Sequence, residues 1–260
     1  MNWWQSIVLG LVQGFTEFLP VSSSGHLAIG RELLGVEASE DLVFEVTVHA
    51  ATVLATIIVF RRQIGALLCG LFKFKYNRET EYILKICVSM IPVFVVGVLF
   101  KDFVKDLFSS IMVVGIALMV TAALLFLSDR AKPHEGGDIT YLQALAIGVG
   151  QAFAVIPGLS RSGTTIATGL LCGCRREEVA QFSFLMVIVP ILGEAFLDVV
   201  GGDVSSSCIG VLPLVLGFVS AFASGMFACK VMIALVKRAK LSWFALYCAV
   251  VGALVLILSL

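Results

Sequence analysis

Charge is scarce in this sequence: only 14% of its 260 residues are Asp, Glu, Lys or Arg, against about a quarter in a soluble domain. That shortage excludes a water-covered surface over most of the molecule. Neither sign is in excess, with 18 basic and 18 acidic residues, so there is no basic field to hold a nucleic acid and no acidic tail to solvate a disordered segment. Histidine occurs three times, and the seven cysteines (69, 87, 172, 174, 208, 229 and 248) include no C-x-x-C pair and no His at zinc spacing. They read as small buried hydrophobes. What is present is apolar, with 59% hydrophobic residues and a mean hydropathy of +1.03. The expectation is an all-α integral membrane protein forming a single polytopic domain over 1–260.

At about 20 apolar residues per crossing there is room for about six spans, and long apolar runs place them near 42–60, 83–100, 110–128, 182–200, 209–228 and 241–258. The start, Met1-Asn2-Trp3-Trp4-Gln5, has no basic region or small-residue cleavage site, so the first segment is expected to stay in the mature protein. Two other stretches, 5–30 and 143–173, are apolar at both ends but carry Pro, Ser and Gly clusters in the middle, with His26 in one and Arg161 in the other. Irregular backbone at membrane depth survives only where protein or a wet cavity surrounds it, so both are expected to be re-entrant helical hairpins.

These two stretches resemble each other at an offset of 138 residues. Gln5, Gly10, Gln13 and Phe15 match Gln143, Gly148, Gln151 and Phe153; Ser22, Ser24 and Gly25 match Ser160, Ser162 and Gly163; Glu40 and Phe44 match Glu178 and Phe182. Pro20 and Pro157 fall one position out of register. The pattern reads as an internal duplication with halves of approximately 1–130 and 139–260. One hairpin and three spans per half make the second copy inverted relative to the first. The charges agree: segments 61–85, 129–140, 171–181 and 229–240 hold 14 of the 18 Lys and Arg, and the opposite loops hold only Arg31, Lys101 and Lys105. The rich side is then cytoplasmic, with both termini outside.

Gln13 and Glu17 stand four apart in a helical stretch and so project from one face. An intramembrane carboxylate costs several kcal/mol unless it is paired, wet or metal-bound, which makes Glu17 a functional candidate. Pro20-Val21-Ser22-Ser23-Ser24-Gly25-His26 is a break followed by a hydroxyl-capped helix start, and free amides at such an end favour phosphate. Ser23 and His26 share a helical face, so His26 could activate a Ser oxygen or protonate a leaving group. The second break, Pro157-Gly158-Leu159-Ser160-Arg161-Ser162-Gly163, ends the same way. Arg161 is the one Lys or Arg outside the loops, and its planar fork matches phosphate oxygens bidentately. Together the breaks supply hydroxyls, amides, a cation, a carboxylate and an imidazole, the inventory of phosphoryl transfer.

The residues Gln13-Gly-Phe-Thr-Glu17-Phe-Leu-Pro-Val-Ser22-Ser23-Ser24-Gly25-His26 and Pro157-Gly158-Leu159-Ser160-Arg161-Ser162-Gly163 make the chain resemble, over essentially its whole length, the bacitracin-resistance family of undecaprenyl-diphosphate phosphatases. The resemblance implies hydrolysis of the terminal phosphate of a polyprenyl diphosphate, helped by a divalent cation (Mg2+ or Ca2+), in the bacterial inner membrane at a site opening to the outer, periplasmic face. By the family's motif, Glu17 and His26 would serve as acid/base or metal-site residues, Ser23 as a candidate nucleophile, and Ser160 and Arg161 as phosphate binders, with Ser22, Ser24, Gly25, Ser162 and Gly163 around them; the run of three Ser leaves open which oxygen attacks, and direct attack by water stays open beside a covalent route. The family has Glu or Gln at the position of Gln13. An amide cannot act as a base, so Glu17 carries that role alone, with Gln13 at most a metal contact.

Other polar residues weigh less. Glu45 and His49 are one turn apart, as are Glu194 and Asp198, and His134 reads as a loop residue. Gly115, Gly217, Ala221 and Gly225 permit close helix packing within or between protomers, leaving a homodimer open. An inverted-repeat lipid or anion transporter could use the same Arg161 and helix ends, but it has no need of Ser23 and His26 beside a carboxylate. The other membrane lipid-phosphatase family needs a further His after its Ser-Arg, and none follows Ser160-Arg161 here.

Overall fold

The computed structural model describes residues 1–36, 41–100, 107, 110–131, 138–193, 209–238 and 240–259. Eleven helices and no strand run along them: α1 (Trp3–Phe18), α2 (Ser23–Leu34), α3 (Asp41–Val59), α4 (Arg61–Leu71), α5 (Arg78–Leu99), α6 (Ile111–Ser128), α7 (Tyr141–Phe153), α8 (Arg161–Leu171), α9 (Arg176–Met186), α10 (Val211–Arg238) and α11 (Ser242–Leu258).

Three of these are long and apolar enough to cross a membrane: α5, α6 and α10 over Val211–Val236. They fall on the expected spans at 83–100, 110–128 and 209–228. The other three are not shown as whole crossings among the described residues. The run at 42–60 forms α3 and then turns by 75° into α4, because Arg61 and Arg62 cannot extend an apolar helix. Arg61 instead folds back and donates to the Ile58 carbonyl at 2.9 Å, a basic cap on the end of α3. The run at 241–258 forms the 17-residue α11, about 25 Å long at 1.5 Å per residue and so a little short of a hydrocarbon core of about 30 Å. The run at 182–200 begins in α9 and continues helically through 188–193, and its remainder lies outside the described residues.

Each of the two interrupted stretches folds as helix, break, helix: α1 and α2 around 19–22, α7 and α8 around 154–160. Their open ends are tied by the same device. Gln5 accepts from the Asn2 amide at 2.6 Å and donates to the Leu34 carbonyl at the end of α2, 3.0 Å away. Gln143 accepts from the Thr140 amide at 2.9 Å and donates to the Cys172 carbonyl past the end of α8, also at 3.0 Å. One side chain thus satisfies an orphan donor at the start of the first helix and an orphan acceptor at the end of the second.

The hairpins sit against the long helices through close backbone approach. α1 packs on α10 at Gly10 and Gly14, where a Cβ would run into Gly217 and Ser220 or into Ala221 and Ser224; α7 packs on α5 at Gly148, where a Cβ would strike the Ser89 carbonyl. In lipid such van der Waals fit, rather than water exclusion, holds helices together. Gly115, Gly217 and Gly225 face Leu256, Phe44 and Phe18, and Ala221 is fully buried, so all four small residues are used within the protomer. Cys174, Cys229 and Cys248 are buried as expected, whereas Cys69 and Cys87 are exposed.

Candidate active site

The two breaks lie against each other. At the first, Ser22 caps α2 by accepting from the Gly25 amide at 3.2 Å; at the second, Ser160 caps α8 by accepting from the Gly163 amide at 3.0 Å. The Gly158 amide points toward Ser24 Oγ at 3.4 Å, and Ser162 Oγ donates to the Leu19 carbonyl at 3.1 Å. A Cβ at Gly25 would sit 3.2 Å from the Gly158 Cα, and one at Gly163 3.3 Å from Pro20 Cβ. Glycine is therefore what lets the tips touch. Ser22 has a φ of 73°, a conformation costing a non-glycine residue about 1–3 kcal/mol and typical of functional turns.

Glu17, at the end of α1, is 8% exposed. Its Oε2 accepts from Ser23 Oγ at 2.6 Å and from Gln13 Nε2 at 2.9 Å, so the two motif residues one helical turn apart do meet. His49 Nε2, on α3, is 3.9 Å from the same oxygen, while its Nδ1 faces the Glu45 carbonyl at 2.9 Å. Arg161, the first residue of α8, lines one small cavity with Glu17, Ser162 and Gln151 and acts electrostatically on Glu17. Among the described residues its guanidinium has neither a hydrogen bond nor an ion pair within 4 Å. A cation kept unpaired in an apolar chain is a seat for an anion that arrives from outside.

His26 is placed otherwise than its spacing suggests. Its Nδ1 lies 2.7 Å from the Ser22 carbonyl, and because a carbonyl only accepts, Nδ1 carries the proton. Its Nε2 faces the Tyr247 hydroxyl at 2.8 Å. Both ring nitrogens are engaged away from Ser23, whose hydroxyl proton is directed at Glu17 instead. Ser23 is thus set up for activation by the carboxylate, a nucleophile–base contact of normal reach.

A divalent cation fits this donor set in one way. Among the described residues no three His, Cys, Asp or Glu are grouped so as to hold a metal ion, so those residues form no all-protein cage. The Gln13 Oε1, however, is buried without a hydrogen-bond partner beside the Glu17 carboxylate. Hard oxygen donors in that number suit Mg2+ or Ca2+ shared with substrate phosphates.

Of the secondary candidates, Glu45 turns to Arg31 at 3.5 Å, and Glu194, Asp198 and His134 lie outside the described residues. Sequence reasoning gave Tyr247 no weight and Gln151 none beyond the repeat. Gln151 carried one signal, its match to Gln13; Tyr247, one tyrosine in an apolar helix 221 residues from His26, carried none.

The folded chain is thus a polytopic helical membrane protein with a buried polar site of phosphoryl-transfer type. The family model described as "Bacitracin resistance protein BacA" matches residues 6–254. An undecaprenyl-diphosphatase of Bacteroides fragilis is 52% identical over 263 residues, covering 100% of this chain and 99% of that protein. The undecaprenyl-diphosphatase of Parabacteroides distasonis is 54% identical over 97% of this chain and 96% of its own length, and that of Carboxydothermus hydrogenoformans is 38% identical over 100% and 98%. The chain belongs to the BacA family.

Proposed function

We infer that the chain is a membrane phosphatase that hydrolyses undecaprenyl diphosphate to the monophosphate and inorganic phosphate, recycling the carrier lipid of cell-wall synthesis. The observation that carries the reading is the Ser23 hydroxyl donating to Glu17 beside an unpaired Arg161. Arg161 takes the terminal phosphate bidentately, and the amides and hydroxyls of the two helix starts at Ser22–Gly25 and Ser160–Gly163 share its oxygens. Glu17 accepts the Ser23 proton as Oγ attacks phosphorus. The bond from that phosphorus to the bridging oxygen breaks, and the bridging oxygen leaves on the lipid monophosphate with a proton from His26. His26 then accepts a proton from water, whose oxygen attacks the phosphoserine; the phosphorus–Oγ bond breaks and Ser23 recovers its proton from Glu17. Glu17 and Gln13 Oε1 would hold the divalent cation, which supplies charge neutralisation for the phosphates.

In the bilayer, α1–α2 and α7–α8 are re-entrant hairpins within six crossings, and the chain is one domain of two inverted halves, 1–130 and 139–260. The matching Gln5 and Gln143 ties and the matching Ser-capped breaks support this. The excess of Lys and Arg on one side supports an inner-membrane orientation with the site opening to the periplasm. Removal of the diphosphate form would accord with the family's description as bacitracin resistance proteins. Purified protein in detergent should release inorganic phosphate from farnesyl diphosphate, with Ser23→Ala slower by several orders of magnitude. A carrier would release none, and a Ser23→Ala loss of only about ten- to a thousandfold would point to direct attack by water.

A further inference from the structure

Residues 60–77 join the apolar helix α3 to α5, which is long and apolar enough to cross a membrane, so this segment lies where the chain leaves the hydrocarbon. α4 departs from the axis of α3 by 75°, the attitude of a helix lying along a membrane surface. It packs inward through Ile64 and Leu67 and leaves Leu68 and Leu71 exposed. The turn that follows, Phe72-Lys73-Phe74-Lys75, is held at both ends. The Phe72 and Lys73 amides donate to the Leu68 and Gly70 carbonyls, and Asn77 donates to the Gly70 carbonyl at 2.9 Å while capping α5 through the Thr80 amide at 2.8 Å. Its aromatic rings nevertheless stand out from the protein, Phe72 at 69% and Phe74 at 90% exposure. Phe74 also has a φ of 50°, a left-handed conformation that is costly for a bulky residue and persists where its surroundings repay it. At that exposure, contacts within the chain do not.

Charge points to the same surroundings. Residues 60–78 hold five basic side chains, Arg61, Arg62, Lys73, Lys75 and Arg78, and no acidic one. Arg78 is taken by Asp138 at 2.6 Å and Arg61 caps α3, whereas Lys73 and Lys75 have no ion pair within 4 Å among the described residues. Of the first carboxylates of α5, Glu79 lies along Gly70 and Glu81 pairs with Lys85 at 2.7 Å. We propose that Phe72–Lys75 is a binding site for anionic phospholipid, in which the two phenyl rings enter the interface and the Lys73 and Lys75 ammonium groups take the headgroup phosphates. Aromatic rings at headgroup level with lysines beside them are how membrane-surface segments hold acidic lipids. A zwitterionic lipid offers the rings the same anchorage but brings a cation of its own, so the lysines select for net negative charge.

The test places the full chain carrying Phe74→Trp in phosphatidylcholine nanodiscs and subtracts the emission of the parent, which has Trp3, Trp4 and Trp243. At equal bromine content and low salt, phosphatidylglycerol with brominated acyl chains should quench the added indole at least about twofold more than brominated phosphatidylcholine, and about 0.5 M NaCl should shrink the difference. With Lys73→Gln and Lys75→Gln added, the phosphatidylglycerol fraction giving half of the quenching should rise about tenfold or more, each lysine being worth about fivefold at an anionic surface. Equal quenching by the two lipids, or a preference that survives the lysine substitutions, overturns the proposal. So does the absence of quenching by either lipid, the result expected if a second copy of the chain covers the turn. In the chain without the indole reporter, native mass spectrometry should find fewer bound phosphatidylglycerol molecules on the Lys73→Gln, Lys75→Gln variant than on the parent, and equal numbers would overturn it as well.

Discussion

Arg161 and Glu17 were legible as candidate site residues because charge inside an apolar run has few structural excuses, and the same logic picked out Ser23 and His26 as candidates from their setting. What spacing could not give was partnership. Ser23 and His26 share a helical face by count, yet Ser23 donates to Glu17 while His26 is drawn to the Ser22 carbonyl and to Tyr247. His49 approaches Glu17 from a separate helix, a meeting that only the tertiary fold decides. The unpaired guanidinium of Arg161 leads to a sharp expectation. Arg161→Lys keeps the charge but loses the two parallel hydrogen bonds, so kcat/KM should drop by about 2–4 kcal/mol of transition-state stabilisation, or about 30- to 1,000-fold. Activity within twofold of the parent would mean that Arg161 only balances the Glu17 charge.

At the level of elements, both helix breaks could be read from their Pro, Ser and Gly clusters, and the structure puts the caps at Ser22 and Ser160. The 75° turn between α3 and α4 was not foreseen, because hydropathy records that Arg61 ends an apolar run but not the direction the chain takes afterwards. Gly158 shows how tightly the second break is drawn. Its φ is 87°, and a Cβ there would lie 2.6 Å from the Val114 carbonyl. Gly158→Ala should therefore cost about 2 kcal/mol or more and lower activity by prying the two tips apart. Gly97→Ala, in a helix with open space around it, should be neutral or slightly stabilising. Equal melting temperatures for the two variants in detergent would contradict this packing.

Across the whole molecule, the likeness of the two interrupted stretches was visible as matched polar residues, but the contacts that tie distant segments together were not, since they rest on side chains far apart in sequence. Asp129 is the clearest case. It pairs with Arg176 at 2.7 Å and accepts from the Leu241 amide, the Ser242 amide and the Ser242 hydroxyl, joining the ends of α6, α9 and α11. Burial pushes its carboxyl upward, but the Ser242 hydroxyl, Arg176 and the two amides outweigh that and hold it below the ordinary 3.8. A depressed folded-state value means this stabilisation is present above the unfolded value of about 4 and is lost as pH falls through the folded one. Asp129→Asn should thus lower the melting temperature at pH 7, with the gap to the parent closing below about pH 4; a gap that does not change with pH would show that the charge contributes nothing. The site itself is tested most directly by rapid-quench trapping with farnesyl diphosphate labelled in its terminal phosphate, using the parent and His26→Ala. A lipid monophosphate is a good leaving group, so the loss of His26 should slow the attack of water more than the departure of the lipid, and label should accumulate on a peptide containing Ser23. No phosphoserine in either protein, with Ser23→Ala still turning over, would contradict Ser23 as the nucleophile that Glu17 activates.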